Sequence, residues 1–518
     1  MVLYMEPLWN PSPKFIAKTR LLDLMSIINE NFGKTISDYH SLHLFSITHQ
    51  NDFWKTIWKE TKILGKLGKV TLENQEKIVD AKFFPNSYLN FAENCLINDR
   101  PPQEIALIAH YENSTSQSIC WGELKRKVSS IQSSLEMAGV KKGSIVAGFI
   151  NNTPEAIIGA LATLSLGGIW TCCSTDFGVA SIVDRFGQTK PKVLFSSVSV
   201  TYNGNKKDLT TNILEIAGKI KSIETIFVCG KEYEQTKRVL EENTKCNVVA
   251  FTEAESNNQI SVPKFIPVEF NHPGFILYSS GTTGIPKCIV HSQGGSLLQL
   301  VKEHQYHLDI KAGDKLFFFT TTGWMMWNWL LAALASEATI ILYEGSPLHN
   351  GCSTLWDLCD QDNWNIFGVS AKYLSLLKKK DFYPQQKNDL KSLRLLLSTG
   401  SPLAPELFGF ANSKIKKDLA VGSISGGTDI VSCFMLCCPI LPVYSGEIQC
   451  AGLGMAVDIF DDNGQPLFNK PGELVCTKPF PSMPLGFFND ESKELYTKAY
   501  FQYYPNVWHH GDLAERTD

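Results

Sequence analysis

The residues with the clearest chemical potential form one ten-residue segment near the middle of the chain. Residues 278–287 have the sequence YSSGTTGIPK. Its glycines allow backbone N–H groups to approach a phosphate, its hydroxyl side chains add hydrogen-bond donors, and Lys287 adds a positive charge. A Walker A loop requires Gly directly before the Lys and a helix after it, whereas here Pro286 precedes the Lys and a strand is predicted for Cys288 to His291. The segment predicts an anion-binding loop between two strands; any one of its residues alone would equally suit a surface turn.

The histidines and the remaining serines do not form a second catalytic group. His291, His304, His307 and His510 lack the spacing of a metal site, and no Gly-x-Ser-x-Gly elbow occurs. We interpret each of these histidines as an ordinary surface or core residue and expect no catalytic triad.

The segment 278–287 resembles the phosphate-binding loop of the adenylate-forming superfamily, which includes acyl-CoA synthetases, luciferases and peptide-synthetase adenylation domains. Three further segments resemble motifs of that superfamily in the same order along the chain. They are 399–403 (TGSPL), 425–429 (SGGTD) and 508–512 (WHHGD). The resemblance covers roughly residues 37–518 and implies an α/β adenylation domain.

The resemblance also implies a role for individual residues. Lys287, Thr428 and Asp429 are the expected catalytic residues, with Asp429 as the Mg²⁺ ligand. The expected ATP and AMP contacts are Ser279, Ser280, Gly281, Thr282, Thr283, Gly284, Lys287, Gly400, Ser401, Pro402, Ser425, Gly427, Thr428 and Asp512. Most relatives have Glu at the position of Asp429, but both acids are hard oxygen ligands. Without the resemblance, a less favoured alternative is that Asp429 is simply a buried acid bonded to backbone N–H groups.

The reaction implied by the resemblance needs no protein nucleophile. A substrate carboxylate attacks the α-phosphorus of ATP to give acyl-AMP and pyrophosphate, and the thiol of CoA then displaces AMP. Catalysis of this kind depends on positioning and charge neutralisation. ATP, CoA and a carboxylic acid are the expected small-molecule substrates, with Mg²⁺ as cofactor.

The acid is suggested by four stretches that resemble acetoacetyl-CoA synthetases within the superfamily. These are 90–94, 174–178, 320–329 and 423–430. Acetate-specific relatives have a Trp where this chain has Gly426, so the resemblance implies a roomier acyl pocket and acetoacetate as the acid. Trp324 is expected to line the same pocket, although it would also suit an ordinary core. A ligase for another short acid and a catalytically weak nucleotide-binding fragment remain open.

The elements that must position these residues follow an alternating pattern. Strands are predicted at 145–150, 192–196, 225–229, 274–278, 339–343 and 393–398, and helices at 121–139 and 153–166. Apolar helices alternating with short β-branched runs predict an α/β fold with a mostly parallel sheet. The uncharged stretches 156–175 and 324–343 are interpreted as a buried helix followed by a strand. Residues 203–207 and 253–258 are expected to be free loops.

Three regions are expected along the chain. Residues 1–95 are predicted to form an aromatic-rich helical cap, 96–445 the adenylation domain with both sites, and 446–518 a β subdomain that leads to a hinge. In the superfamily a later Arg and a Lys on a small C-terminal domain complete the site, so we expect this chain to be truncated before that domain and its turnover to be impaired.

Composition excludes several functions. The 518 residues have a net charge of −4 and no extended basic run, which argues against a nucleic-acid partner. The N-terminus lacks a signal peptide, no membrane span is expected, and the 14 cysteines match neither a zinc site nor a disulfide framework. We therefore expect reduced thiols in a cytosolic protein. The sequence does not indicate an oligomeric state.

Overall fold

The structure, a computed structural model, describes residues 6–112, 116–256, 262–279 and 284–517. Several helices begin at residues that satisfy free backbone N–H groups or lack one. Asp38 forms a capping box with Ser41, and Pro154 occupies the first turn of its helix. Hydrophobic residues then place one face of each helix against a sheet.

The α-helices are α1 (Pro13–Ile16), α2 (Arg20–Phe32), α3 (Tyr39–Thr48), α4 (Gln50–Glu60), α5 (Phe91–Leu96), α6 (Trp121–Met137), α7 (Pro154–Ser165), α8 (Val179–Thr189), α9 (Thr210–Lys219), α10 (Glu234–Asn243), α11 (Phe251–Ser256), α12 (Gln293–Lys302), α13 (Met325–Ala332), α14 (Thr354–Asp362), α15 (Ala371–Lys379), α16 (Pro405–Phe410) and α17 (Glu494–Tyr500). Short 3₁₀ turns span Ile78–Asp80, Ala333–Ser336 and Pro384–Gln386, and π-helical turns span Glu303–His307 and Ala411–Ile415.

The strands are β1 (Gly65–Lys66), β2 (Leu72–Glu73), β3 (Lys82–Phe83), β4 (Tyr88–Leu89), β5 (Ile105–Tyr111), β6 (Gln117–Cys120), β7 (Ile145–Phe149), β8 (Ile169–Cys173), β9 (Val193–Ser197), β10 (Ser199–Tyr202), β11 (Asn205–Asp208), β12 (Thr225–Cys229), β13 (Asn247–Ala250), β14 (Val268–Glu269), β15 (Pro273–Ser279), β16 (Lys287–Ser292), β17 (Lys315–Phe318), β18 (Thr339–Glu344), β19 (Ile366–Ser370), β20 (Leu395–Thr399), β21 (Ala420–Ser423), β22 (Ser425–Gly427), β23 (Ser432–Leu436), β24 (Cys450–Ala451), β25 (Val457–Phe460), β26 (Gly472–Cys476), β27 (Gly486–Phe487) and β28 (Trp508–Ala514).

Two large sheets dominate the architecture. The eight-stranded sheet has the order β13-β12-β9-β7-β8-β15-β16-β27, parallel from β13 to β15 and antiparallel from β15 onward. The seven-stranded sheet has the order β21-β20-β19-β17-β18-β5-β6 and is parallel except for the pair β5–β6. Buried strands flanked by helices explain their nearly continuous apolar runs.

Two small antiparallel sheets follow near the C-terminal end of the described chain. One has the order β22-β23-β24, and the other has the order β25-β26-β28. The pairs of the first include Gly427 with Ser432, and those of the second include Cys476 with Trp508. These sheets carry two of the predicted nucleotide motifs.

The predicted α/β class is confirmed. The seven predicted strands are present as β7, β9, β12, β15, β16, β18 and β20, and the two predicted helices as α6 and α7, with ends within two residues of the prediction. The stretch 156–175 is the helix α7 followed by β8, and 324–343 contains α13 and β18. None of the described helices combines the length and apolar character needed to cross a bilayer.

Two loop predictions are wrong. Residues 205–207 belong to β11, which pairs with β10 across a turn at Asn203 and Gly204. Residues 253–256 belong to α11, and 257–258 lie outside the described residues. Polar composition misled the prediction because all four residues of β11 are exposed and α11 buries only one face.

The N-terminal helices share their core with the rest of the chain. Trp54 on α4 is fully buried in the same apolar cluster as Trp170 and Trp327. A Cβ on Gly454 would lie 2.3 Å from the Trp54 ring, so glycine is needed for this approach. The boundaries at 95/96 and 445/446 remain predictions. All 14 cysteines are free thiols, as expected.

Candidate active site

The predicted anion-binding loop joins two antiparallel strands of the eight-stranded sheet. Ser279, the last residue of β15, pairs with Lys287, the first residue of β16. Gly284 has a φ of +84°, which glycine adopts without strain. The loop residues that lie outside the described chain are Ser280, Gly281, Thr282 and Thr283. Their contacts with phosphate stay a prediction.

Lys287 lies in an aromatic corner beside α17. Its Nζ is 5.3 Å from the ring centroid of Tyr500 and 5.7 Å from that of Phe487. Aromatic faces attract a cation without neutralising it. Because no acid of the described residues lies within ion-pair distance of Lys287, its charge is available to an anionic ligand.

Thr428 and Asp429 lie in the turn of the hairpin formed by β22 and β23. The Thr428 carbonyl accepts a hydrogen bond from Nε2 of His291 at 2.9 Å, and Oδ1 of Asp429 accepts one from the Tyr500 hydroxyl. Val431, which ends the turn, has a φ of +46°. Such a conformation is strained for a β-branched residue, so the surrounding contacts must hold it in place.

The ionisation states in this group follow from burial. Burial lowers the pKa of His291 to about 4, which leaves the ring neutral near pH 7. Burial also lowers the pKa of His510, although the charges of Asp429 and Asp512 act in the opposite direction. For Tyr500, burial and then the charge of Asp429 raise the pKa. Tyr500 therefore remains a neutral donor.

Strand β28 lies over the hairpin. The Trp508 ring stacks on Tyr500 with centroids 4.0 Å apart and an interplanar angle of 12°. A Cβ on Gly427 would lie 3.7 Å from the His510 ring, whose Nδ1 is buried without a partner among the described residues. The Asp512 side chain is 57% exposed, with Oδ2 3.5 Å from Nε2 of His510. Asp512 is therefore accessible to a polar ligand beside the hairpin.

The turn after β20 lies next to the start of the hairpin. Strands β20 and β21 are parallel, so their carboxyl ends meet at one edge of the sheet, where α/β folds bind ligands. Oγ1 of Thr399 donates to the carbonyl of Ile424 at 2.9 Å. Gly400, with a φ of +89°, Ser401 and Pro402 follow and are exposed. The exposed turn offers a surface that suits a flat ligand such as a nucleobase.

Trp324 is the N-cap residue of α13 and is 58% exposed, so it is not an ordinary core residue. A Cβ on the preceding Gly323 would lie 3.2 Å from the backbone N of Ser174 and 3.5 Å from the Phe177 ring. The segments 320–329 and 174–178 are therefore in contact. A shared acyl pocket of Trp324 and Gly426 remains a prediction.

Gly426 has a structural reason for being glycine that differs from the predicted one. A Cβ there would lie 2.0 Å from the carbonyl O of Ser432 and 2.6 Å from Cα of Cys433. Strand β23 approaches too closely for any side chain, at a point where the pairing register shifts. The space beside Gly426 is thus occupied by backbone.

The predicted Mg²⁺ site can be tested against the donor set. Among the described residues, no three His, Cys, Asp or Glu side chains are close enough to hold a metal. Asp429 alone fits Mg²⁺, which is commonly bound by one or two carboxylates plus substrate phosphates and water. Asp429 would hold the ion, which would neutralise phosphate charge; tight binding of the ion without nucleotide is not expected.

Sequence reasoning missed two of these residues and assigned no role to a third. Tyr500 and Phe487 were not singled out, and His510 was interpreted as an ordinary residue. Tyr496 and Tyr500 are four residues apart, and such spacing on a helix would have placed both on one face. Nothing in the sequence indicated that this face meets Asp429.

Comparisons with known proteins agree with this geometry. The family model described as AMP-binding enzyme matches residues 93–485. The chain is 43% identical over 512 residues to acetoacetyl-coenzyme A synthetase from Rhizobium meliloti, covering 99% of this chain and 78% of the relative. It is 36% identical to a malonamoyl-CoA synthetase from Penicillium aethiopicum, covering 98% of this chain and 72% of that protein.

A solved structure gives the same result. Acetoacetyl-CoA synthetase from Streptomyces lividans superimposes with a TM-score of 0.91 at 34% identity, over 99% of this chain and 79% of that one. The comparisons do not support the predicted truncation. The chain belongs to the AMP-binding enzyme family, as an acid–CoA ligase.

Proposed function

We propose that this enzyme uses ATP to convert acetoacetate to acetoacetyl-AMP and then transfers the acyl group to CoA. In the first step a carboxylate oxygen forms a bond to the α-phosphorus while the bond to pyrophosphate breaks. In the second, the CoA sulfur bonds to the acyl carbon, its proton is released, and AMP leaves. These steps exchange no electrons with a redox cofactor.

The observation that supports adenylation is that Lys287 and Asp429 both contact Tyr500, while Thr428 precedes Asp429 in the chain and the charges of Asp429 and Lys287 both act on His510. A cation and a carboxylate are held by one aromatic group, and the exposed Asp512 lies beside them. We assign Lys287 to phosphate and Asp429 to Mg²⁺. Adenine is assigned to Gly400, Ser401 and Pro402, and ribose to Asp512.

The choice of acetoacetate rests on the relatives and on the contact between 320–329 and 174–178. The first seven curated relatives named, at 36 to 43% identity, are acetoacetyl-CoA synthetases. Trp324, exposed at the edge of this contact, is assigned to the acyl group. A second candidate is a ligase for another short acid, because a relative at 36% identity is named for malonamoyl-CoA.

Impaired turnover of the 518-residue polypeptide is part of the proposal. The assignments above give the phosphates one cation, Lys287, and each further preorganised charge-stabilising group typically contributes about 10² to 10³ in rate. We expect slower ATP–pyrophosphate exchange than for a fusion with the C-terminal region of the Rhizobium relative. Equal rates would contradict impairment.

The deciding experiment is thioester formation with purified protein, ATP, Mg²⁺ and CoA. Acetoacetate is compared with acetate, butyrate and malonamate at equal concentration. We expect the highest kcat/KM with acetoacetate. A higher kcat/KM with another acid would favour the second candidate, a ligase for another short acid. If the protein binds nucleotide but forms no thioester with any of these acids, it is a nucleotide-binding protein and not a ligase.

A further inference from the structure

A buried carboxylate lies directly behind the hairpin that carries Thr428 and Asp429. Glu303 begins the π-helical turn that extends α12, and its side chain is fully buried. A π-helical turn within a helix is uncommon and often marks a functional position. None of the roles assigned above uses Glu303.

The contacts of Glu303 lead to the first two residues of β23. Its Oε1 accepts a hydrogen bond from Oγ of Ser432 at 2.5 Å and from the backbone N of Cys433 at 3.1 Å. Its Oε2 accepts one from Nε1 of Trp329 at 3.0 Å. Nζ of Lys302, equally buried, lies 3.7 Å from Oε1. The carboxylate thus fastens β23 to α12 and α13.

The donor pattern requires a carboxylate. The indole N–H of Trp329 and the backbone N–H of Cys433 can only donate, and they face different oxygens of Glu303. A glutamine there would direct its NH₂ group at one of these donors in either orientation. Oγ of Ser432 accepts a hydrogen bond from Nε2 of Gln299 at 3.0 Å while it donates to Glu303, so its proton position is also determined.

The strained backbone of the hairpin explains why the hydrogen bonds of Glu303 to Ser432 and Cys433 are needed. Val431, with its φ of +46°, immediately precedes Ser432. A strained turn persists only when surrounding contacts over-determine it. From the nucleotide side, His291 holds the Thr428 carbonyl. From the core side, the contacts of Glu303 hold the residues that follow the strained one.

We propose that Glu303 is a positioning residue for the adenylation site: through Ser432 and Cys433 it holds the hairpin that presents Thr428 and Asp429 to Mg²⁺ and ATP. The inference rests on the proposed function for its consequence, but its structural part can be measured without any ligand. Glu303 itself touches neither nucleotide nor acid.

The test uses three variants of the full 518-residue chain. Glu303→Gln places an NH₂ group against one of the N–H donors of Trp329 and Cys433, and Ser432→Ala removes the hydroxyl donor. Gln305→Met is the matched control. Gln305 is buried on the same π-helical turn but accepts its hydrogen bond from Arg20, at 3.2 Å, on the side of the N-terminal helices. All three are compared below the thermal midpoint of the least stable variant.

Amide hydrogen exchange without ligand is the first readout. We expect exchange within 425–436 to rise at least about tenfold in Glu303→Gln and about threefold in Ser432→Ala. Gln305→Met should leave this segment within about twofold of wild type. If Glu303→Gln does not fold, Ser432→Ala decides alone. Unchanged exchange in the folded variants overturns the inference.

Calorimetric binding of a non-hydrolysable acetoacetyl-adenylate mimic with Mg²⁺ is the second readout. We expect affinity to fall about tenfold or more in Glu303→Gln, and to persist in Gln305→Met. Absence of binding to wild type would refute the proposed function and leave the exchange result to decide the inference. Wild-type binding with equal affinity in Glu303→Gln would refute the positioning role.

Discussion

Replacement of Lys287 by alanine tests the assignment of the nucleotide site most directly. The variant removes a positive charge that lies 5.3 Å from the ring centroid of Tyr500, whose hydroxyl donates a hydrogen bond to Asp429. The backbone should tolerate this substitution, because Lys287 begins β16, which pairs with β15 on one edge and with β27 on the other. We therefore expect a folded protein with weaker ATP binding.

The size of the effect follows from the local contacts. A hydrogen bond to a charged group contributes about 1.5 to 3 kcal/mol, which corresponds to a loss in ATP affinity of about 10- to 150-fold. The aromatic corner itself loses less. Cation–π contacts of a partly exposed Lys are worth about 1 kcal/mol or less, so the free energy of unfolding should change little.

Isothermal calorimetry with ATP and Mg²⁺ measures the affinity, and thermal unfolding measures the stability. Lys498→Ala is the matched control, because it makes the same charge change on the exposed face of α17. If surface charge alone attracted ATP, both variants would weaken binding equally. If Lys287→Ala binds ATP as tightly as wild type, the phosphate role of the loop is wrong.

Three further outcomes are expected. Tyr500→Phe should remove the hydrogen bond to Asp429 and weaken Mg²⁺-dependent ATP binding about threefold to tenfold. If the variant binds ATP with the affinity of wild type, the Tyr500 hydroxyl does not orient the Asp429 carboxylate. Gly426→Ala should lower stability by about 1 to 3 kcal/mol because its Cβ meets the backbone of β23; an unchanged melting temperature with a shift toward acetate would instead favour the predicted pocket. His291→Gln should flatten the pH dependence of stability. The pKa of His291 is about 4 in the folded protein and near 6.5 in the unfolded chain, so the unfolded chain binds more protons between pH 4 and pH 6.5. The free energy of unfolding therefore falls as the pH falls through this range, by up to about 3 kcal/mol for this residue. Identical slopes of the free energy of unfolding against pH in the two proteins would contradict this.

Local patterns in the sequence predicted much of the fold. Runs such as 225–229 are short, β-branched and bounded by polar residues, so their ends are marked locally. Three of the four motif segments stand out because glycine and hydroxyl residues cluster there, whereas 508–512 (WHHGD) was found by its resemblance to the superfamily. Polar composition did not separate loops from exposed regular elements, as β11 and α11 demonstrate.

Contacts between distant segments were not predictable. Glu303 and Ser432 are 129 residues apart, and Tyr500 and Asp429 are 71 apart. Neither pair has a local signature. The proximity of Gly426 to β23 likewise depends on a shift in strand register, and a single sequence provides no measure of that distance.

Strand β16 links the two charges of the site mechanically. Lys287 begins this strand and His291, which holds the carbonyl just before Asp429, follows four residues later. A strand rises about 3.3 Å per residue and stretches little, so β16 fixes a separation of about 13 Å between the backbone of Lys287 and that of His291, which contacts the turn before Asp429. The separation of these two backbone positions is therefore set before any nucleotide arrives.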